Sequence, residues 1–198
     1  MSIFDLEEQN VNVDNKIVAG LLRLSQVFKT LLSEKARIFG LSPIQIQLLI
    51  FIKYHKESQT TESYLAREFN LTQQAVSDEV KILEQKKLLE KNVYGTDSKS
   101  YSLNLSTTGE TAVNETENYM VPVSKFISQA DDHEKIILWA NIAKVIGELN
   151  KLGVIQVQRS CVNCKYHSML DKNHHCSLVG RGLHTNEIRI DCREFQLH

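Results

Sequence analysis

The apolar residues of this chain change their spacing once, and that change limits what the chain can fold into. From Val13 to about Lys87 they recur at steps of three and four, as on a helix with one buried face. In the short run 101–105 they alternate strictly, with the period of a strand, and in 89–93 they lie only at the two ends. Helical spacing then returns and lasts to Leu152. This order predicts a mainly helical protein that contains one two-stranded hairpin.

Capping and breaking residues divide the helical part. Gly40 is a natural C-terminal stop, and Ser42-Pro43 combines a capping serine with a proline in the first turn. Asn70-Leu71-Thr72 interrupts the pattern again, and Gly153 ends the last helix. We expect Pro122 to kink or end the helix that follows the hairpin. The predicted helices cover residues 13–38, 43–54, 61–69, 72–87, 106–119 and 132–152.

Three helices followed by a hairpin form a winged helix-turn-helix. In that fold one helix enters the major groove of DNA, and the hairpin loop reaches a neighbouring groove or the phosphates. On the helix 72–87, glutamines suit adenine edges, Ser77 suits a phosphate or a base, and Lys81 suits a phosphate or guanine. We therefore predict binding to double-stranded DNA. The candidate contact residues on this helix are Gln73, Gln74, Ser77, Asp78 and Lys81.

An ordered series of short motifs resembles the MarR family of bacterial transcription regulators. Its members here are Leu41-Ser42-Pro43-Ile44-Gln45-Ile46-Gln47-Leu48-Leu49, Tyr64-Leu65-Ala66, Leu71-Thr72-Gln73-Gln74-Ala75-Val76-Ser77, Val80-Lys81-Ile82-Leu83-Glu84-Gln85-Lys86-Lys87-Leu88-Leu89 and Leu105-Ser106-Thr107-Thr108-Gly109. Asp97 and Lys99 fall where the family's wing has an aspartate and an arginine. The resemblance therefore adds Ser42, Thr72, Asp97 and Lys99 to the candidate DNA contacts. Lysine lacks the planar fork that suits a narrow minor groove. The resemblance covers about residues 12–153.

This resemblance implies a homodimer in which the first and last long helices of two chains interleave. It also implies a palindromic DNA site, usually a repressor role, and an effector pocket between the dimerisation helices and the DNA-binding lobe. The expected fold is mainly α, a three-helix core with a hairpin wing at about 89–105, flanked by long dimerisation helices. The predicted domains are 1–155 and an irregular cysteine-rich tail, 156–198.

All four cysteines lie in the tail, as Cys161, Cys164, Cys176 and Cys192. A C-x2-C pair forms a knuckle whose two sulfurs can face one metal ion, but the second pair is not a knuckle, so this is not an ordinary zinc ribbon. Four thiolates suit zinc, which we favour, and they also suit an iron–sulfur cluster. A histidine could replace one cysteine: His167, His174, His175 or His184. Unligated cysteines and a Cys161–Cys164 disulfide switch are the other possibilities.

Composition and motifs narrow the functional classes to which the protein can belong. No apolar run approaches the length of a membrane span, and the acidic start is unlike a signal peptide, so we expect a cytoplasmic protein. The net charge of −1 means that phosphate contacts must come from local patches. No catalytic motif is present, and four cysteines in a closed site leave no open metal position for a substrate, so we expect no enzyme. Rival interpretations are a redox or metal sensor that binds DNA, and a winged helix that binds protein.

Overall fold

The computed structural model describes residues 2–93, 101–157, 159–171 and 173–197. Within these ranges the chain is mainly helical and carries one antiparallel hairpin followed by a small sheet, which confirms the expected fold class. The helices are α1 (Leu6–Val11), α2 (Val13–Phe39), α3 (Pro43–Tyr54), α4 (Glu62–Glu68), α5 (Gln73–Gln85), α6 (Thr107–Thr116), α7 (Val121–Gln129) and α8 (Asp132–Lys151). The strands are β1 (Leu89–Val93), β2 (Tyr101–Leu105), β3 (His167–Leu170), β4 (Asn173–Cys176) and β5 (Arg181–Leu183).

The helix ends follow from the capping chemistry in the sequence. Gly40 adopts a left-handed conformation, with φ of 61°, and ends α2. Ser42 caps α3 and Thr72 caps α5, each by accepting a hydrogen bond from a backbone N–H three residues later. Gly153, with φ of 74°, follows the end of α8. These local signals explain why the predicted and observed helix bounds agree closely.

The prediction that Pro122 kinks or ends the helix after the hairpin is wrong. The helix after the hairpin already ends at Thr116 and continues as a 3-10 turn over Glu117–Met120. Pro122 then lies in the first turn of α7, where its missing N–H costs nothing. The proline therefore opens a new helix instead of ending the previous one.

The main core lies where α3, α4, α5 and the hairpin meet. Its fully buried side chains include Leu48, Leu65, Val76, Val80 and Leu103. Val76 and Val80, with Leu83, form one face of α5, which fixes the opposite face towards solvent. The core thus determines which side of α5 is available to a partner.

The hairpin is held against the core at its base. β1 and β2 are antiparallel, with Leu89 opposite Leu105 and Val93 opposite Tyr101. Gly109, in the first turn of α6, lies so close to the Leu88 carbonyl that a Cβ at this position would collide with the backbone. Glycine is required there because no flexible side chain can move aside.

The tail contains more regular structure than the irregular module that we predicted. β3, β4 and β5 form an antiparallel sheet in that order, with His167 opposite Cys176 and Cys176 opposite Arg181. The tail packs on α8, where the Trp139 indole donates a hydrogen bond to the Thr185 carbonyl at 3.2 Å. It also contacts α4 through Arg159. The proposed division at residue 155 remains a prediction.

Two long helices leave apolar faces in solvent. On α2 these side chains include Ile17, Leu21, Leu24 and Phe28, and on α8 they include Leu138, Ile142, Val145 and Leu149. Together they form what we term the apolar stripes. Among the described residues, no single helix has the length and apolar character to cross a membrane; α2 and α3 pass that test only as a pair, which is bent by 91°.

Candidate DNA-binding surface and cysteine site

The outward face of α5 is polar and solvent-exposed. Gln73, Gln74, Asp78 and Lys81 are exposed, and Ser77 is half-buried. Asp78 lies at the centre of a small network, because it accepts a hydrogen bond from Gln74 Nε2 at 2.8 Å and pairs with Lys81 Nζ at 3.5 Å. These side chains therefore hold one another in place on the surface that the fold presents to a partner.

The hydroxyl oxygens of Ser42 and Thr72, the two helix caps among the candidate DNA contacts, each already accept a hydrogen bond. The Ser42 Oγ accepts from the backbone N–H of Gln45 at 3.2 Å, and the Thr72 Oγ1 accepts from that of Ala75 at 3.1 Å. Both hydroxyls keep a proton that can be donated to a phosphate. Their role in DNA contact remains a prediction. Asp97 and Lys99, the predicted wing contacts, lie outside the described residues.

Gln45 orients α5 and was not among the predicted site residues. Its side-chain oxygen accepts from the N–H of Ser42 at 3.0 Å, while its Nε2 donates to the Glu79 carboxylate of α5 at 2.7 Å. The buried amide thus links the start of α3 to the middle of α5. The Ser-x-x-Gln spacing of a capping box is a local signal that could have identified the first half of this link.

The four cysteines line one small cavity. Its volume is about 30 Å³, and its wall also includes Tyr166, His167 and Glu194. Cys161 and Cys164 belong to one tight turn, since the N–H of Cys164 donates to the Cys161 carbonyl at 3.0 Å. Cys176 ends β4, and Cys192 reaches the cavity because its N–H bonds to the Arg159 carbonyl at 2.9 Å. The fold therefore brings together residues that the sequence separates.

The electrostatics around Cys161 favour a positive charge in this cavity. Burial raises the pKa of the Cys161 thiol, and Cys192 and Cys176 raise it further, against a lowering by the Arg189 N–H that donates to its sulfur at 3.3 Å. Neighbouring thiolates repel one another unless a cation lies among them. Within the described ranges, however, no group of three or more Cys, His, Asp or Glu side chains is already arranged around a common ion position.

Two of the four candidate histidines are linked beside this cavity. His167 Nε2 and His174 Nδ1 are 2.8 Å apart, in hydrogen-bond contact. Of these two, His167 lies in the cavity wall, and His174 faces a different cleft beside α8. His167 is therefore the histidine best placed to replace a cysteine, with His174 able to fix the orientation of its ring.

Arg159 joins the cysteine site to the winged helix, a link that sequence reasoning missed. Its guanidinium donates to both Asp191 carboxylate oxygens at 2.7 Å, and to the Glu68 carboxylate at 2.6 and 3.2 Å. Glu68 is the last residue of α4, and Asp191 precedes Cys192. Burial opposes the charge of Arg159, but the bonds to Asp191 and Glu68 outweigh it and raise the pKa of Arg159. We name these three side chains the Arg159 clamp.

Comparisons with known proteins agree with this geometry. Residues 39–99 match the model of the MarR family. The chain is similar to a crystal structure of a Staphylococcus aureus MepR–DNA complex, at 25% identity over 66% of this chain and 97% of that one, with a TM-score of 0.57. A structure of S. aureus MepR, described as a regulator of the multidrug efflux pump MepA, gives the same identity and coverage and a TM-score of 0.50. A search of curated proteins gives no match.

The family match spans α3 to β1, the elements that contain the helix-turn-helix and the first strand of the hairpin. The similar structures extend the likeness to about two thirds of the chain. Residues 39–99 of this chain are therefore similar to the MarR family, and the described elements from α3 to β1 have the order of a helix-turn-helix followed by a strand.

Proposed function

We propose that this protein is a transcriptional regulator that binds double-stranded DNA with α5 in the major groove. The main supporting observation is that the outward face of α5 is polar and lies opposite the buried Val76 and Val80 of the same helix. The similarity to a MepR structure solved with DNA supports the same assignment. We place the protein in the cytoplasm, where a bacterial chromosome lies, and we assign it no catalytic role.

The side chains of α5 suit the two tasks of DNA recognition. Gln73 and Gln74 can each make a paired contact to adenine, and Lys81 can contact a phosphate or guanine. DNA would compete with Asp78 for the amide of Gln74 and the ammonium of Lys81, so binding exchanges contacts already made within the helix. In this proposal Asp97 and Lys99 reach the neighbouring minor groove or its phosphates.

A binding assay on DNA from the protein's own upstream region tests this. Gln74→Ala should weaken specific binding by about 1–3 kcal/mol, since a good contact to a base edge is worth that much. Gln85→Ala is the matched control, because Gln85 is also exposed on α5 but lies at its far end. Fluorescence anisotropy on labelled duplexes gives both affinities. Equal affinities for the two variants, or no binding by the parent protein, would refute α5 as the recognition helix.

We infer that two copies bind together, on a palindromic site. The apolar stripes of α2 and α8 expose at least eight large side chains, more than a monomer usually leaves in water. Packing them against a second chain would bury them and set the spacing between two recognition helices. Sedimentation should give twice the mass of one chain. Leu24→Glu should lower the measured mass to that of a single chain.

We further propose that the protein represses transcription and releases DNA when a small-molecule effector binds. This proposal is supported by the similarity of residues 39–99 to the MarR family, whose members are often repressors. A reporter gene behind the upstream region should be more active when the protein is deleted. Lower reporter activity after deletion would make it an activator.

The cysteine site is proposed to hold zinc. Four cysteines around one cavity supply the ligand set that structural zinc prefers, and the mutual repulsion of their thiolates would be relieved by the ion. Zinc binding would require the sulfurs to close on the ion from their present positions. Elemental analysis should find about one zinc per chain. Iron with sulfide, and absorption near 400 nm, would instead support the iron–sulfur alternative and make the protein a redox or iron sensor.

A further inference from the structure

A cleft between α8 and the tail has the character of a ligand site. Its volume is about 310 Å³, within the range of pockets for small organic molecules. Its apolar walls include Trp139 and Ala143 of α8 and Val162 and Ile188 of the tail. The cleft lies on the face of α8 that the tail covers, and the apolar stripe of α8 uses other residues.

A buried polar group without a partner lies next to this cleft. Ser160 is 2% exposed and lines the cleft, and among the described residues its Oγ is the buried side-chain oxygen that has no hydrogen-bond partner. A buried hydroxyl left unpaired is unfavourable, because it has lost water and gained nothing. If the Ser160 side chain turned towards a ligand in the cleft, a hydrogen bond to that ligand would remove this cost.

Gly147 shows that the space beside it is open. This glycine of α8 is buried and lines the cleft, yet a Cβ built at the position meets no atom within 4 Å. Glycine in the middle of a helix is less stable than alanine, so its presence is not explained by the helix. Its effect is to leave room in the cleft for another molecule.

The rim of the cleft is mainly positive. Lys144, Lys151 and Arg189 line it, and the carboxylate there, Glu148, is paired with Lys151 at 2.8 Å. A ligand with an apolar body would contact Trp139 and its neighbours. A carboxylate on that body would meet Lys144, because Lys151 is paired with Glu148 and the Arg189 guanidinium contacts Cys192 Sγ at 3.8 Å. We propose that this cleft binds a small, largely apolar organic acid, which gives the effector of the proposed function a site and a chemical class.

Trp139 allows a direct test, since it is the single tryptophan of the chain and lines the cleft. Octanoate should change its fluorescence saturably, with a Kd below about 1 mM and at least about tenfold tighter than that of 1-octanol. Gly147→Leu should fill the cleft and abolish the change. Gly20→Leu is the matched control, because Gly20 is also helical with open space around its missing Cβ, but lies on α2.

Ser160→Ala separates a ligand contact from a structural role. Removing the unpaired hydroxyl should raise the melting temperature without octanoate and weaken octanoate binding several-fold. A lower melting temperature would show that Ser160 stabilises the fold and would overturn its role. No fluorescence change, unchanged binding in Gly147→Leu, or equal binding of octanoate and 1-octanol would each overturn the proposal. None of these readings involves DNA, so they stand apart from the test of DNA binding.

Discussion

Replacing Arg159 by methionine should detach the tail from the winged helix. Methionine keeps much of the length of arginine but donates no hydrogen bond. The Arg159 side chain is 5% exposed, against 19% for Glu68 and 44% for Asp191. The substitution therefore leaves Glu68 largely buried without a cation, while the half-exposed Asp191 keeps only its contact with His55 Nε2 at 3.0 Å.

The structure sets the size of this effect. Breaking a fully buried ion pair by removing one partner costs about 3–5 kcal/mol. Because solvent reaches Asp191 and partly reaches Glu68, we expect the lower end, about 3 kcal/mol, which is a change of roughly 100-fold in the folding equilibrium. Arg159→Lys keeps the charge but loses the two-pronged contacts, so its cost should be about half as large.

Urea unfolding at neutral pH measures the loss, and limited proteolysis of residues 153–157 shows whether the tail is released. Arg181→Met is the matched control. Arg181 pairs with Glu187 at 2.6 Å, but its side chain is 56% exposed, so solvent screens the pair and the expected cost is small. If Arg159→Met is no more destabilising than Arg181→Met, the clamp does not hold the tail, and our reasoning from burial is wrong.

Four further predictions concern other parts of the molecule. Gly109→Ala should cost about 3 kcal/mol in urea unfolding, because its Cβ would meet the Leu88 backbone, whereas Gly20→Ala should cost nothing. Hydrogen bonds from Tyr54 and Lys53 lower the pKa of Glu117. The ionised Glu117 therefore stabilises the fold fully above its ordinary pKa of 4.5, and this stabilisation is lost as the pH falls through the lowered pKa. Glu117→Gln should flatten the fall in melting temperature below about pH 4.5. Cys164→Ser should release zinc, measured by elemental analysis, while helical circular dichroism is retained. Lys99→Ala should weaken DNA binding and reduce its dependence on salt, and an unchanged salt slope would remove the wing from the DNA contact.

The helices and the wing could be predicted because their signals are local. Gly40, Ser42, Thr72 and Gly153 each set a helix end through their own backbone or hydroxyl chemistry. The alternation in 101–105 similarly identified β2. α1 was missed, since its six residues carry too short an apolar pattern to distinguish from a turn, and α7 was missed because we expected Pro122 to end a helix and not to open one.

The tail's attachments could not be predicted, because they join residues far apart in the chain. Arg159 meets Asp191 across 32 positions and Glu68 across 91. No spacing rule connects such residues, and a charged side chain in a polar segment is ordinarily solvated. The cysteine pattern indicated a shared site, but it contained nothing about the sheet of β3, β4 and β5 or about the cleft against α8.

The apolar stripes on α2 and α8 have a consequence for gene dosage. Under the proposed dimer, the formation of active protein depends on the square of the concentration of free chains, so halving expression of a weakly paired regulator removes more than half of its activity. Chains that have not found a partner expose these stripes, which quality-control proteases recognise. Low expression would then be lowered further by degradation, and the regulated genes would respond to this protein with a threshold rather than in proportion to its amount.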